Sequence, residues 1–249
     1  MNEHQSLQGR VAIVTGSARN IGRAIARALA DAGAAVVINA KSSAADADAV
    51  VRQVREAGGQ AVAKIADVGR PEGATSLIDA AIAAFGRLDV LVNNAAVRRE
   101  IDFASLDYQE WRAITATILD GAYLCAHAAA PHLIAAGGGA IVNIGGLSSY
   151  TGAARRAHVI AAKAGLVGLT RALAYDLAPH RITVNCVAPG LIDTERRGPE
   201  PGHHAKHATL VGRRGTPEEI AAVVRFLCGP EARYITGQTL HANGGVFMG

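Results

Sequence analysis

The chain has little of what marks a stapled, extended or nucleic-acid-binding protein. Only three cysteines, Cys125, Cys186 and Cys228, occur in 249 residues. They are odd in number, widely spaced and set in apolar stretches, which excludes a disulfide or zinc framework and reads as small buried thiols kept reduced. Aromatics make up 4% of the sequence, so the core must be filled by Ala, Val, Ile and Leu. No basic block interleaved with aromatics is present, and 25 Lys and Arg against 21 Asp and Glu leave a net charge of +4. That balance falls far short of a nucleic-acid footprint but leaves room for an anionic small molecule. Residues 1–6 carry no basic region followed by an apolar one, hence no secretory signal. The longest uninterrupted apolar runs are strand-length and too short to span a bilayer. The expectation is a cytoplasmic protein whose partners include neither nucleic acid nor membrane.

What is there is a long alternation. Half of the residues are hydrophobic and 18% are charged, which excludes disorder and allows one large core. Continuous apolar runs at Val11–Thr15, Ala35–Asn39, Ala61–Ile65, Val90–Asn93, Ala140–Ile144, Ile182–Val187 and, more weakly, Thr239–His241 predict strands buried on both faces. Between them, Ile21–Ala32, Ala44–Ala57, Glu72–Phe85, Tyr108–Leu133, Ala157–Leu177 and Pro217–Leu227 predict helices. Thr216-Pro217-Glu218-Glu219 is a strong helix start, with a capping Thr, Pro at the first position and acids in the first turn. The pattern predicts one doubly wound α/β (Rossmann) domain over residues 1–249: a seven-stranded parallel sheet with helices on both faces, preceded by a short tail at 1–6. Gly190–Gly215 breaks the periodicity and follows a strand's carboxyl end, where a lid over a ligand crevice belongs.

The first strand runs into Thr15-Gly16-Ser17-Ala18-Arg19-Asn20-Ile21-Gly22 and straight on into a helix. Gly16 suits a tight turn, Gly22 close packing of helix on strand, and the exposed N–H groups of the helix start suit a pyrophosphate. The first strand–helix junction of an alternating chain is the context in which such a glycine pair carries weight.

In this order, Thr15–Gly22, Asp67-Val68, Asn93-Asn94-Ala95-Ala96, Pro189-Gly190 and the C-terminal Ile235–Leu240 with Asn243-Gly244-Gly245 resemble the short-chain dehydrogenase/reductase family from about Leu7 onward. Two departures are visible: Asn20 replaces a usual glycine and Ala96 the last glycine of NNAG. Asn tolerates left-handed backbone better than most residues. The resemblance implies a nicotinamide dinucleotide held by Gly16, Ser17, Arg19, Asn20, Ile21, Gly22, Asn39, Lys41, Ser42, Asp67, Val68, Asn93, Ala95, Lys163, Pro189, Gly190, Ile192 and Thr194. It also implies a small-molecule substrate and a homo-oligomer, dimer or tetramer, built through Tyr108–Leu133 and Ala157–Leu177. NAD sites usually carry an acid at the end of the second strand. Here Asn39-Ala40-Lys41-Ser42 has none, and Lys41 with Arg19 suits a 2′-phosphate. The expectation is NADP(H), with NAD(H) as the alternative.

The resemblance also implies a catalytic Asn-Ser-Tyr-Lys set, with Tyr four residues before Lys on one helix face. Ala161-Ala162-Lys163-Ala164-Gly165 assigns the lysine to Lys163. The Tyr position is then Val159, the Ser position Gly146 and the Asn position Ile118. No Tyr in the sequence has a Lys four residues later, so the loss is not a slip of alignment. General acid catalysis is worth about 10²–10⁴-fold, and Val159 cannot supply it. Three substitutes suggest themselves: Tyr150, beside Ser148 and Ser149 after the fifth strand; His158, about 140° around the helix from Lys163; and Lys163 itself, if burial depresses its pKa.

His203, His204 and His207 lack the glutamate of a zinc helix, so no metal is expected. With Lys206, Arg213 and Arg214 they would instead favour an acidic substrate. Three functions stay open: an NADP(H)-dependent oxidoreductase with a non-standard site acting on an imine or a substrate with its own proton donor; a catalytically inactive nucleotide-binding regulator or subunit; and a non-redox hydrolase or lyase on the same scaffold.

Overall fold

The structure, a computed structural model, describes residues 6–195 and 208–249. Its seven strands are β1 (Val11–Val14), β2 (Ala35–Ala40), β3 (Ala61–Ile65), β4 (Val90–Asn93), β5 (Gly139–Ile144), β6 (Ile182–Pro189) and β7 (Thr239–Ala242). They pair in the order β3-β2-β1-β4-β5-β6-β7, and every pairing is parallel. The chain winds outward from β1 to β3, returns to β4 beside β1, and winds outward again to β7. The order reverses between β1 and β4, and a crevice opens there at the carboxyl ends of the strands.

Each inner strand sends alternate residues to opposite faces, and both faces are covered. Ala12 and Val14 of β1 join one core with Val36, Ile38, Val92 and Val142. Onto it pack α1 (Asn20–Asp31), α2 (Ala44–Glu56) and α8 (Pro217–Cys228), through side chains such as Ile25, Val50 and Val224. Val11 and Ile13 face the other way, into a core with Val37, Leu91 and Ile141. There α3 (Pro71–Phe85), α5 (Gly121–Ala135) and α7 (Ala157–Leu177) supply Leu77, Leu133 and Leu177. Burial on both sides explains the unbroken apolar runs. Cys125, Cys186 and Cys228 are free and buried.

The segment expected as one helix from Tyr108 is α4 (Tyr108–Thr115), a π-helical turn at Ala116–Asp120 and then α5. Beyond it lies α6 (Ser148–Thr151), a single turn after β5 that the sequence pattern does not reveal. Thr216 caps α8 as expected, accepting from the Glu219 N–H while the Glu219 side chain accepts from the Thr216 N–H. Averaged over whole helices rather than uninterrupted runs, Tyr108–Ala135 and Ala157–His180 are long and apolar enough to cross a membrane by length and composition. In this fold both lie against the sheet through residues such as Ala126, Ala129 and Ala174.

A polar file crosses the central layer. Asn93 donates to the Asn143 side chain at 2.9 Å, Asn143 donates to the Thr170 hydroxyl at 2.9 Å, and Thr170 donates to the Leu166 carbonyl. Asn93 and Asn143 are direct partners in the β4–β5 register.

Candidate active site

The glycine loop is built for close approach. Gly16 has φ of +62°, and a Cβ there would lie 2.9 Å from the Ala95 Cα. A Cβ on Gly22 would meet the Gly16 carbonyl and the Asn94 amide, so the start of α1 can lie against the loop only without a side chain. Asn20 has φ of +52°, the left-handed conformation expected of it. Arg19 precedes α1 in extended conformation and is exposed. The first N–H groups of α1 thus form a cradle suited to a pyrophosphate.

Several expected ligand residues use their side chains to brace this cradle. Asn39 accepts from the Gly16 N–H at 3.1 Å and donates to the Lys64 and Ala66 carbonyls. The Ser17 hydroxyl donates to the Val14 carbonyl and accepts from the Asn39 N–H. The Asn93 amide belongs to the polar file. Two residues of the quoted motifs that stand outside the expected ligand set are equally central: the Thr15 hydroxyl accepts from both Asn94 and Ala95 N–H groups at 2.9 Å, and Asn94 donates to the Thr15 and Gly16 carbonyls. A β-branched Thr ending an apolar strand gave no signal apart from its place before Gly16.

At the end of β2, Lys41 pairs with Asp67 at 2.9 Å, with Arg70 at 3.8 Å on the same carboxylate. Burial alone would raise the Asp67 carboxyl. The Lys41 hydrogen bond, the Gly69 N–H and the charges of Lys41 and Arg70 outweigh it and hold the group below its ordinary value. Two cations around one carboxylate leave local positive charge, and Ser42 adds an exposed hydroxyl beside them. Val68 is buried beneath.

The catalytic half converges on Lys163. Its ammonium donates to the Ile144 carbonyl at 2.6 Å and the Gly145 carbonyl at 2.9 Å. Burial, reinforced by the charges of Arg98 and Arg156, pushes its pKa down to about 7. A cavity of about 70 Å³ opens beside it, lined among others by Gly146, Val159, Pro189, Gly190 and Ile192. Ile21 of the glycine loop also reaches this cavity, which joins the cofactor half to the catalytic half. A Cβ on Gly146 would touch only the Lys163 Cδ, at 3.4 Å. Val159 and Ile118 share one buried apolar cluster with Ile114, Ala122, Ala162 and Leu166. Ile118 stands in the π-helical turn, so the local widening of that helix persists around an aliphatic side chain.

Tyr150, in α6, is placed elsewhere. Its ring stacks against His241 and Phe247 with centroids 4.4 and 5.0 Å away, and its hydroxyl is buried. The residues of α6 that line the cavity are Ser148 and Thr151. His158 is fully buried beside Val159, and burial lowers its pKa, keeping the ring neutral.

Of the lid, Gly190–Glu195 and residues 208–215 are described. Their inner ends are tied by Asp193 N–H to the Gly215 carbonyl and Gly215 N–H to the Leu191 carbonyl. Thr194 lies in a groove of about 390 Å³ between α1 and α8, next to Asn20. His203, His204, Lys206 and His207 fall outside the described residues. Among the described residues no group of three His, Cys, Asp or Glu side chains is arranged to hold a metal.

A family model for enoyl-(acyl carrier protein) reductase matches residues 16–247. A 3-oxoacyl-[acyl-carrier-protein] reductase of Synechocystis sp. is 38% identical over 98% of this chain and 99% of its own length. An uncharacterized oxidoreductase of Methylorubrum extorquens is 42% identical over 96% of this chain and 98% of its own. Among solved structures, a short-chain dehydrogenase from Burkholderia cenocepacia in complex with NADP superposes with a TM-score of 0.91 at 37% identity, covering 97% of this chain and 99% of that one. The ordered motifs, the switch-point crevice and these full-length likenesses agree: the chain belongs to the short-chain dehydrogenase/reductase family.

Proposed function

We propose that the protein is an NADP(H)-dependent oxidoreductase that reduces a C=N bond, or another acceptor bringing its own proton, at a site without the family's hydroxyl acid. The cradle fits a dinucleotide because Gly16 and Gly22, which leave no room for a Cβ against Ala95, Asn94 and the Gly16 carbonyl, bring the start of α1 tightly onto the loop, where its first N–H groups suit a pyrophosphate. Lys41 and Arg19 at the adenosine end favour the 2′-phosphate, with NAD(H) the weaker ligand. When bound, the cofactor supplies a hydride; the protein orients both reactants and excludes water.

The observation that carries this reading is the burial of Val159 and Ile118 in one apolar cluster. The family resemblance assigns these positions to Tyr and Asn, and here a proton path is replaced by packed hydrocarbon. A ketone would leave an alkoxide with aliphatic side chains, not a tyrosine hydroxyl, at the Tyr and Asn positions. A protonated imine needs no such hydroxyl: its carbon receives the hydride, the C=N π pair becomes the nitrogen lone pair, and NADP⁺ is the oxidised co-product. Lys163 fixes the floor of the site through the Ile144 and Gly145 carbonyls.

NADPH fluorescence titration tests the pocket, and turnover with matched ketones and imines tests the chemistry. Imine reduction with inert ketones is expected; ordinary ketone reduction with inert imines refutes the reading. Gly146→Ser with Val159→Tyr should create ketone reductase activity, up to about 10²–10⁴-fold over the parent. A folded double variant with no gain would place the obstacle elsewhere in the cavity. NADPH binding without turnover on any substrate would favour the inactive-subunit reading. We also infer a homo-oligomer through α4, α5 and α7, where Tyr123, Ile134 and Tyr175 are exposed; light scattering decides it.

A further inference from the structure

Of the three side chains that suggest themselves for proton chemistry, His158 has the least ordinary surroundings. It is 0% exposed, and neither ring nitrogen has a hydrogen-bond partner among the described residues. Buried polar atoms without partners weaken the packing that holds them. The ring stands in the first turn of α7, which begins with no side-chain cap and no acid. A proton on His158 would therefore place a cation at the helix end whose dipole opposes it. Neighbouring charges give the same sign. Burial is the main cause of the lowered pKa; Arg156, just before α7, and Arg99, after β4, add to it, while Glu110 of α4 works against it. Glu110 is already held by Arg99 at 2.6 and 2.8 Å. In the π-helical turn, Asp120 pairs with Arg112 at 3.6 Å. The packed turn α6 carries no charged residue, and its Tyr150 faces His241. Arg156 and Val159, on either side of His158, both line the cavity, so this turn is part of the wall of the site.

We propose that His158 is a proton-operated latch on that wall: while neutral it stays packed and the first turn of α7 closes the site, and on protonation the ring leaves for water and the turn opens. The latch rests on the reductase reading only for what the wall encloses.

Hydrogen exchange of the full-length protein, read by mass spectrometry at pH 7.5 and 5.5 and corrected for intrinsic rates, tests it. The reporter is the turn itself, where the Ile160 N–H donates to the Arg156 carbonyl at 2.9 Å. In the open turn His158 takes a proton near the ordinary value of about 6.5, and in the closed turn only at lower pH. Protection is then complete above about pH 6.5 and falls below it, approaching about ten-fold between pH 7.5 and 5.5. His158→Phe keeps an aromatic ring and cannot take the proton, so the ratio of wild-type to variant protection should drop by that factor. His158→Leu serves the same purpose should the larger ring fail to fit. Lys163, with its pKa at about 7, also titrates in this window, but alike in wild type and variants, so it cancels in the ratio. A ratio that does not change with pH overturns the latch, as does a wild-type loss shared equally by the amides of β1. NADPH titration at pH 7.5 is the separate check: no binding to the wild type would remove the reductase reading, while the exchange ratio would still decide the latch.

Discussion

Lys163 gives the sharpest quantitative test. Its ammonium is buried, donates to two carbonyl oxygens and pairs with no carboxylate among the described residues, and its pKa is lowered from 10.5 to about 7 by burial with help from Arg98 and Arg156. In the unfolded chain it keeps its proton until about pH 10. Between the two values the unfolded state binds more protons than the folded one, so stability rises with pH, approaching about 1.4 kcal/mol per unit. From about pH 7 to 8.5 the ligand-free protein should gain roughly 1.5 kcal/mol from this one group. Lys163→Met lacks the proton and lacks the gain. Cys125 and Cys228, pushed up to about 12, act in the opposite sense once unfolded thiols ionise, but equally in both proteins. The informative quantity is therefore wild type minus Met variant, from urea unfolding at several pH values. A difference that stays flat over that window would show the amine still charged in the fold and refute the reasoning.

Other outcomes follow from the same contacts. Gly22→Ala forces a methyl within 2.5 Å of the Asn94 amide and 2.9 Å of the Ser17 Cα. It should destabilise by about 1–3 kcal/mol in urea unfolding and weaken NADPH in fluorescence titration. Thr15→Val keeps the shape of the residue but strips the acceptor from the Asn94 and Ala95 N–H groups. A loss of about 2–4 kcal/mol is expected by thermal or urea unfolding. Lys41→Ala should weaken NADPH by about ten-fold and leave NADH nearly unchanged, because Asp67 then faces the 2′-phosphate with Arg70 as its remaining neighbouring cation; parallel titrations measure the ratio.

The sheet was readable because its strands are buried on both sides, which writes each as an uninterrupted apolar run. Val90–Asn93 and Ala61–Ile65 match to the residue. The turn around Gly16 and the left-handed Asn20 were readable because backbone geometry restricts the residues that can stand there. The break at Ala116–Asp120 was not, since Ala-Thr-Ile-Leu-Asp carries no glycine or proline and the widened turn depends on packing against α7. Tyr150 shows the same limit. Its loop lies beside the site, but the direction of a ring on one helical turn is decided by His241 and Phe247, nearly a hundred residues away.

The file from Asn93 through Asn143 to Thr170 has a consequence for how the chain finds its arrangement. Parallel strands of Val, Ile and Ala are nearly interchangeable to one another, so hydrocarbon alone discriminates poorly among neighbouring alignments. Sliding β5 by one residue would set Val92 or Asn94 opposite Asn143 and strand amides that each cost about 1–3 kcal/mol when orphaned. The three side chains act as a key cut for a single lock, rejecting the near-miss assemblies that an all-aliphatic sheet would tolerate.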